Sequence, residues 1–363
     1  MVESDERWMR LALRLAAKGR GFTNPNPMVG AVVVSKDNHP VGTGYHERVG
    51  EAHAEVNALE DAGQRAFGGT LYCTLEPCCH VGRTGPCVER IVECGVDRVV
   101  IAMLDPNPKV NGGGAAYLKR HGVTVEVGVQ GNEAECLNAP FITWITRNRP
   151  FVTMKVALSL DGCIADGPEA RTTITSESSN AVAQSLRGEV DVIAVGSSTA
   201  LVDDPLLTCR FVERRAPLTR VVFDRRLRMR PTAKIFSTLE TGPVIVLTTE
   251  QAFDNCGRQV ELLTDVGARV EVLPDDTSLE EALILLGSWN LLNVVLEGGR
   301  AVHEAAWTNN LVDHVKIFMA PMVCGPQGLR WLDRDGVLDR LVDMKIRGCG
   351  PDILVEGDVY RVD

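Results

Sequence analysis

Apolar positions recur along the chain in two rhythms. Trp8, Leu11, Ala12 and Leu15 fall at helical spacing, with Ser4 as a candidate cap and Gly19 as a stop. "MVGAVVV" (28–34) is an unbroken apolar run and predicts a buried strand. A helix is predicted over 52–62, ending near Gly63, and a strand over 70–76, "TLYCTLE". A helix over 86–94 stops at Gly95, and strands follow at 97–103 and 124–129. The order strand, helix, strand, helix, strand predicts a sheet covered by helices.

Asn148, Arg149 and Pro150 interrupt this pattern, and a new strand starts at Phe151. Strands are predicted at 151–157, 190–195, 219–223, 243–247, 269–273, 292–297 and 313–320, and helices at 176–187, 278–287 and 300–309. A chain of 363 residues is long for one core. Two α/β domains are therefore expected, residues 1–147 and 148–363. Neither an internal repeat nor a low-complexity segment is visible.

Composition narrows the class. Aromatics make up only 5% of the chain, so the cores must be built from Val, Leu, Ile and Ala. No apolar run approaches the ~18 residues of a membrane span, so no membrane partner is expected. The start, "MVESDERWMR", is charged from its third residue, unlike a secretory signal, and a cytoplasmic location is expected. A net charge of −10 argues against a protein that wraps nucleic acid. Eleven cysteines, an odd number spread over the chain, do not make a disulfide framework. Their cluster between Cys73 and Cys87 needs its own explanation.

His53, Glu55, Cys78 and Cys87 supply one. A catalytic zinc takes three protein ligands and leaves one position for water, and one imidazole with two thiolates suits it. Glu55, two residues beyond His53 in the first turn of a helix, is placed to shuttle protons beside that water and not to ligate. The eight residues between Cys78 and Cys87 include His80 and Arg83, a cationic loop suited to a phosphorylated substrate. A closed structural zinc on Cys78, Cys79, Cys87 and His80 is the competing reading, but it leaves "HAE" unexplained.

The blocks "TNPNPMVGAVVV", "GYHERVGEAHAE", "TLEPCCHVGRTGPC" and "DPNPKVNGGG" resemble, in order, the bifunctional deaminase–reductase family of riboflavin biosynthesis. The resemblance implies a cytidine-deaminase-like α/β/α sandwich with zinc on His53, Cys78 and Cys87, and Glu55 as proton shuttle. It implies substrate roles for Asn26 and His46, and phosphate contacts from His80 and Arg83. The family commonly has Pro-Pro-Cys where this chain reads Gly85-Pro86-Cys87, and often Ser at Cys79. Neither change removes a ligand.

The second half lacks a G-x-G-x-x-G dinucleotide fingerprint. "VVLEGG" (294–299) is a strand ending in two glycines before a helix, which presents free N–H groups to a phosphate. With "KVALSLDG" (155–162) and "VGSSTALVDDPLLTCR" (195–210), it resembles the family's reductase half, a dihydrofolate-reductase-like α/β domain. Carried over, Lys155, Asp203 and Glu297 line the meeting point of substrate and nicotinamide, with Lys155 and Asp203 as the candidate acids. Arg187 and Arg210 hold the substrate phosphate beside Leu207, and Arg171 also faces substrate. Ala157, Thr173, Thr199, Asp203, Gly298, Gly299 and Arg300 touch the cofactor. The family often has Trp where this chain has Thr173. Arg225 or Arg226, in "VVFDRRLRMR" (221–230), is the candidate reader of the NADPH 2′-phosphate.

The resemblance therefore implies Zn²⁺ and NADPH as cofactors and two consecutive reactions. The amino group of 2,5-diamino-6-ribosylamino-4(3H)-pyrimidinone 5′-phosphate is hydrolysed. The ribosyl group is then reduced, giving 5-amino-6-ribitylamino-uracil 5′-phosphate. It also implies assembly from identical chains, as a dimer or tetramer. Two rival readings stay open in the sequence: a tRNA or nucleotide deaminase with an accessory nucleotide-binding domain, and a zinc-stabilised regulatory protein without catalysis.

Overall fold

The computed structural model describes residues 2–79, 85–108, 110–214, 216–332 and 337–360. The chain divides into two compact units, Met1–Asn148 and Arg149–Asp363. Among the described residues no helix is long and apolar enough to cross a membrane.

The first unit holds α1 (Val2–Ala16), β1 (Gly30–Val34), β2 (Pro40–Tyr45), α2 (Ala54–Ala62), β3 (Thr70–Leu75), α3 (Cys87–Glu93), β4 (Arg98–Met103), α4 (Gly113–Arg120), β5 (Thr124–Val127) and α5 (Gly131–Arg147). Its five-stranded sheet runs β2-β1-β3-β4-β5. β1 is antiparallel to both neighbours, and β3, β4 and β5 are parallel. Every residue of β1 is buried, as its apolar run requires.

Two features set the helices against this sheet. Asp5 on α1 takes both nitrogens of the Arg98 fork, at 2.8 and 2.9 Å, and the Tyr72 hydroxyl at 2.6 Å, tying α1 to β3 and β4. On α2, Ala54, Ala58 and Ala62 recur every fourth residue and form a stripe of small side chains. They meet Gly42 and Gly44 of β2. A Cβ at Gly44 would lie 2.5 Å from the Ala58 amide nitrogen and 2.7 Å from the Asn57 Cβ. The helix backbone thus rests directly on the strand.

The sequence pattern missed β2, α4 and α5. "PVGTGY" reads as a loop because its glycines carry no apolar alternation, yet those glycines are what admit α2. α5 is masked by Pro140, which breaks helical bonding. The chain kinks there at Asn138, and its buried carboxamide bonds the backbone of Met28 in both directions, at 2.8 and 2.9 Å.

The second unit begins with β6 (Phe151–Ser159), β7 (Cys163–Ala165), α6 (Glu177–Glu189), β8 (Val192–Gly196), α7 (Ser197–Asp203), β9 (Thr219–Phe223), β10 (Val244–Thr249), α8 (Glu250–Asn255), α9 (Gly257–Asp265) and β11 (Arg269–Leu273). It continues with α10 (Leu279–Ser288), β12 (Asn293–Gly298), α11 (Arg300–Thr308), β13 (His314–Ala320), β14 (Leu329–Arg330), β15 (Leu341–Cys349) and β16 (Asp352–Val359). Nine strands form one sheet in the order β11-β10-β9-β8-β12-β6-β13-β16-β15. The sheet is parallel from β11 to β13, and β16 and β15 extend it antiparallel. β7 and β14 form a separate pair. A buried ion pair, Arg149 to both oxygens of Asp313 at 2.7 and 3.0 Å, pins the start of β6 beside β13.

The predicted strands of this unit all appear, shifted by one or two residues at several ends. The antiparallel pair β15–β16 was not predicted. β15 lies at the sheet edge and is mostly exposed, so no sustained apolar run marks it.

Gly44→Ala is expected to force α2 away from β2, a small-to-large change costing about 1–3 kcal/mol. A lower unfolding temperature together with reduced zinc per chain would show this. Unchanged values for both would refute the backbone contact.

Candidate active sites

The metal-ligand candidates of the first unit sit at helix starts. His53 is the residue before α2, and Cys87 is the first residue of α3. Cys78 follows β3 by three residues, and its sulfur accepts the backbone N–H of Cys87 at 3.3 Å. His53 Nδ1 lies 3.2 Å from Cys87 Sγ and 3.5 Å from Cys78 Sγ. All three ligating atoms lie within 4.8 Å of one another. A tetrahedral zinc bound at about 2.0–2.3 Å spaces its ligand atoms about 3.5 Å apart, so the donor set fits the ion in type and spacing.

The protons in this cluster are shared. A hydrogen bond from Cys87 draws the Cys78 thiol down to about 4, helped by His53. The same bond pushes Cys87 up, and Cys78 raises the His53 ring. A divalent cation would replace the shared protons. Cys79 stands outside the cluster, with its sulfur near Gly113.

Glu55 projects from the first turn of α2 and is 3% exposed. Burial pushes its carboxyl up to about 7, against the pull of His53. His46 is buried beside it, its ring 5.7 Å from that of His53 and edge-on. Burial lowers the His46 pKa. His46 Nδ1 lies 3.2 Å from the Ala52 carbonyl, leaving Nε2 to accept from Asn26 Nδ2 at 3.1 Å.

Supporting residues with no sequence signal complete this side. Asn138 on α5 holds Met28, two residues from Asn26. Buried Glu76 accepts the N–H groups of Gly112 and Ala115, at 2.8 and 2.9 Å, and so fixes the "NGGG" turn beside Pro77.

In the second unit, Lys155 and Ala157 lie two apart on β6 and therefore share one face. Glu297, at the end of β12, holds the Arg187 fork through two bonds of 2.8 and 2.5 Å. The third arm of Arg187 reaches the Thr208 carbonyl at 2.9 Å. Burial lowers the Lys155 pKa, against the pull of Glu297. Burial opposes the charge on Glu297 too, but Arg187 and Lys155 outweigh it and keep the carboxyl below its usual range. Asp203 ends α7, and burial raises its carboxyl against the field of Arg171.

A cleft of about 430 Å³ opens at the carboxyl ends of β8, β9, β10 and β11, where α/β sheets bind ligands. Gly299 carries a φ of 93° and approaches Gly196 so closely that a Cβ would lie 3.0 Å from the Gly196 backbone. α11 starts there without a side-chain cap, its helix N-terminus at the cleft. Buried in the lining, Thr248 Oγ1 has no hydrogen-bond partner. Arg226 and Arg228 also line the cleft. These features fit a phosphorylated dinucleotide.

The comparisons match this geometry half by half. Residues 2–103 match the family described as cytidine and deoxycytidylate deaminase zinc-binding region, and residues 150–355 match the RibD C-terminal domain. The chain is 42% identical over 323 residues to riboflavin biosynthesis protein RibD of Aquifex aeolicus, covering 89% of this chain and 88% of that one. It is 35% identical to the Escherichia coli RibD, covering 96% and 98%. The crystal structure of the Thermotoga maritima diaminohydroxyphosphoribosylaminopyrimidine deaminase/5-amino-6-(5-phosphoribosylamino)uracil reductase superposes with a TM-score of 0.83 at 35% identity, covering 99% of each chain. Acinetobacter baumannii RibD gives 0.84 at 32% identity, covering 99% and 100%.

The chain belongs to the bifunctional deaminase–reductase family of riboflavin biosynthesis. This deaminase–reductase joins a cytidine-deaminase-like unit to a dihydrofolate-reductase-like unit, and its cofactors are Zn²⁺ and NADPH.

Seen on the structure, the predicted residues separate into groups. Asn26, His46, His53, Glu55, Cys78 and Cys87 converge. His80 and Arg83 lie outside the described residues. Lys155, Arg187 and Glu297 form a second group. Thr199 packs on Gly298, its Oγ1 3.0 Å from where a Cβ there would sit, while Gly299 lines the cleft beside Arg300.

The remaining predicted residues stand apart from these groups. Leu207 is 3% exposed with φ 52°, so it offers backbone and not side chain. Arg187 spends its fork on Glu297. Arg210, Arg171 and Thr173 are exposed. Arg225 lines the cleft, but its guanidinium is held by the carbonyls of Thr277, at 2.8 Å, and Asp275. Arg228 is held by the Ser197 hydroxyl at 2.7 Å and faces Asp224 at 4.0 Å, which leaves Arg226 the better placed to meet a phosphate.

A second group of ligating atoms, Asp161, Cys163 and Cys324, lies where the loops after β6 and β13 meet. Asp161 is already occupied by the Ser159 hydroxyl and the N–H groups of Cys324 and Gly325, so it ties the two loops together.

Glu55→Gln is expected to keep zinc at the parent's stoichiometry and to lose deamination by about 10²–10⁴-fold, the usual worth of a general acid–base. Metal analysis beside an ammonia assay checks both halves. Loss of the metal would make Glu55 a structural group.

Proposed function

We propose that the first unit, residues 1–147, deaminates 2,5-diamino-6-ribosylamino-4(3H)-pyrimidinone 5′-phosphate, and that residues 148–363 reduce its ribosyl group with NADPH. The observation that carries this reading is the buried Glu55 carboxyl, two residues from the His53 of a His–Cys–Cys donor set, with the ring of the Asn26-bonded His46 edge-on to His53. The Thermotoga relative, named for both reactions, supports the substrate.

Bound zinc would supply Lewis acidity that brings a water's pKa near neutrality. Glu55, with a carboxyl at about 7, takes the water's proton at one oxygen and returns it to the departing ammonia. The Asn26 carboxamide and the His46 ring orient the pyrimidine. His80 and Arg83, on the resemblance alone, take the phosphate.

Bound NADPH would supply the hydride of the second step. The ribosylamine ring must open to an imine-like carbon first, which needs a proton at the ring oxygen. We assign that proton to Lys155 Nζ, because burial makes the ammonium a readier donor while Glu297 keeps it charged. Asp203 is then a contact to ribose or cofactor beside Arg171. Arg187 holds Glu297, and Arg210 is left as the cation for the substrate phosphate. Arg226, which has no partner among the described residues, reads the 2′-phosphate. The net charge of −10 supports a small-molecule substrate in place of RNA. The assembly of identical chains rests on the resemblance.

The test uses purified enzyme and the diaminopyrimidinone ribotide, with ammonia release and NADPH oxidation recorded in one tube. Ammonia is expected without cofactor, and oxidation once NADPH is added. Lys155→Ala is expected to abolish oxidation and leave ammonia release intact. Equal loss of both would sink the assignment of Lys155, and no ammonia from zinc-replete enzyme would sink the substrate. Arg226→Ala is expected to weaken the preference for NADPH over NADH about tenfold, the scale of a lost charge-assisted phosphate contact. Arg225→Ala is expected to leave it near the parent's value. The reverse pattern would return the 2′-phosphate to Arg225.

A further inference from the structure

β12 does not run straight to its end. Its ladder with β8 pairs Leu296 with Ala194 and then Gly298 with Val195, so Glu297 is an extra, bulged residue. Its ladder with β6 stops at Leu296–Met154, one residue before Lys155. The register with β6 sets Glu297 level with Lys155, and the bulge opposite β8 leaves its carboxylate to Arg187. The Leu296 carbonyl, immediately before the bulge, is met by a side chain. His303 on α11 places Nε2 3.1 Å from it.

His303 is 2% exposed and held from both sides. The indole N–H of Trp331 donates to its Nδ1 at 3.0 Å. That bond assigns the lone pair to Nδ1 and the proton to Nε2, which donates to Leu296. Burial pushes the ring down to about 4, so it is neutral and carries one donor and one acceptor. Trp331 is 5% exposed, and its backbone N–H donates to the Gly162 carbonyl at 3.1 Å in the turn after β6. The chain of contacts runs from that turn through Trp331 and His303 to the strand end that carries Glu297.

We propose that His303, fixed by Trp331, is a positioning residue for the reduction: it holds the β12 bulge and so sets Glu297 against Lys155. The inference rests on the roles assigned above to Lys155 and Glu297. His303 is not part of the cleft lining, so its effect belongs to the chemical step and not to cofactor binding.

The experiment compares His303→Leu, His303→Gln and Trp331→Phe in the full chain, with ammonia release in the same tube as a check on folding. A side chain that lets the bulge relax misplaces Glu297, and a displacement of about 1 Å costs up to about 10²-fold in rate. His303→Leu is expected to lower kcat for NADPH oxidation by at least about tenfold with KM for NADPH within about twofold, while ammonia release stays intact. His303→Gln, whose amide N–H can still reach Leu296, is expected to recover most of the loss. Trp331→Phe is expected to lower kcat in the same direction and by less. An unchanged kcat in His303→Leu, or a His303→Gln variant no better than Leu, would overturn the proposal. Glu297→Gln and Lys155→Ala separate the premise: if neither slows reduction, the reading of the site fails, whatever His303 does.

Discussion

Close approach of backbone to backbone, permitted by missing side chains, is the constraint on which both sites depend. In the first unit the Ala54–Ala58–Ala62 stripe rests on Gly42 and Gly44. That contact sets the height of α2 above the sheet, and His53 and Glu55 lie at its first turn. In the second, Gly196 and Gly299 touch, bringing the turn after β8 against the turn after β12. This lets the start of α11 face a cleft with nothing but backbone in between. Side chains do the chemistry in each unit, but their positions are set where side chains are absent.

The two sites bury charge in different ways. Around His53, Cys78 and Cys87, acidic groups crowd together and share protons, an arrangement that a cation relieves. Glu55 next to them is raised chiefly by burial, with Cys78 adding to it against the pull of His53, which leaves it able to take and give a proton near neutrality. Around Lys155 the charges already alternate: ammonium, carboxylate, guanidinium. That site holds its charge without a metal. Removing one member there would leave the others buried without compensation.

The zinc site was legible because its residues are few, chemically distinctive and close in sequence to helix starts. His53 and Glu55 share a turn, and the spacing from Cys78 to Cys87 is short. The reductase residues were reachable through resemblance and not through chemistry, because Lys155, Arg187 and Glu297 come from three distant elements. The Arg225 reading shows the limit. "DRRLRMR" presents several equivalent arginines, and nothing local reveals that the Asp275 and Thr277 carbonyls take one of them. Asn138 and His303 left no signal at all, since each acts on the backbone of a distant segment.

The sequence by itself determined the two α/β units, the central strands and the zinc donor set, since these follow from local periodicity and ligand chemistry. Only the tertiary structure decided that Arg225 is taken by the Thr277 and Asp275 carbonyls, that Arg187 serves Glu297, and that a glycine-rich segment is a strand carrying α2. Those outcomes depend on which distant backbone groups compete for the same side chain. Such competition exists only once the strands are laid side by side.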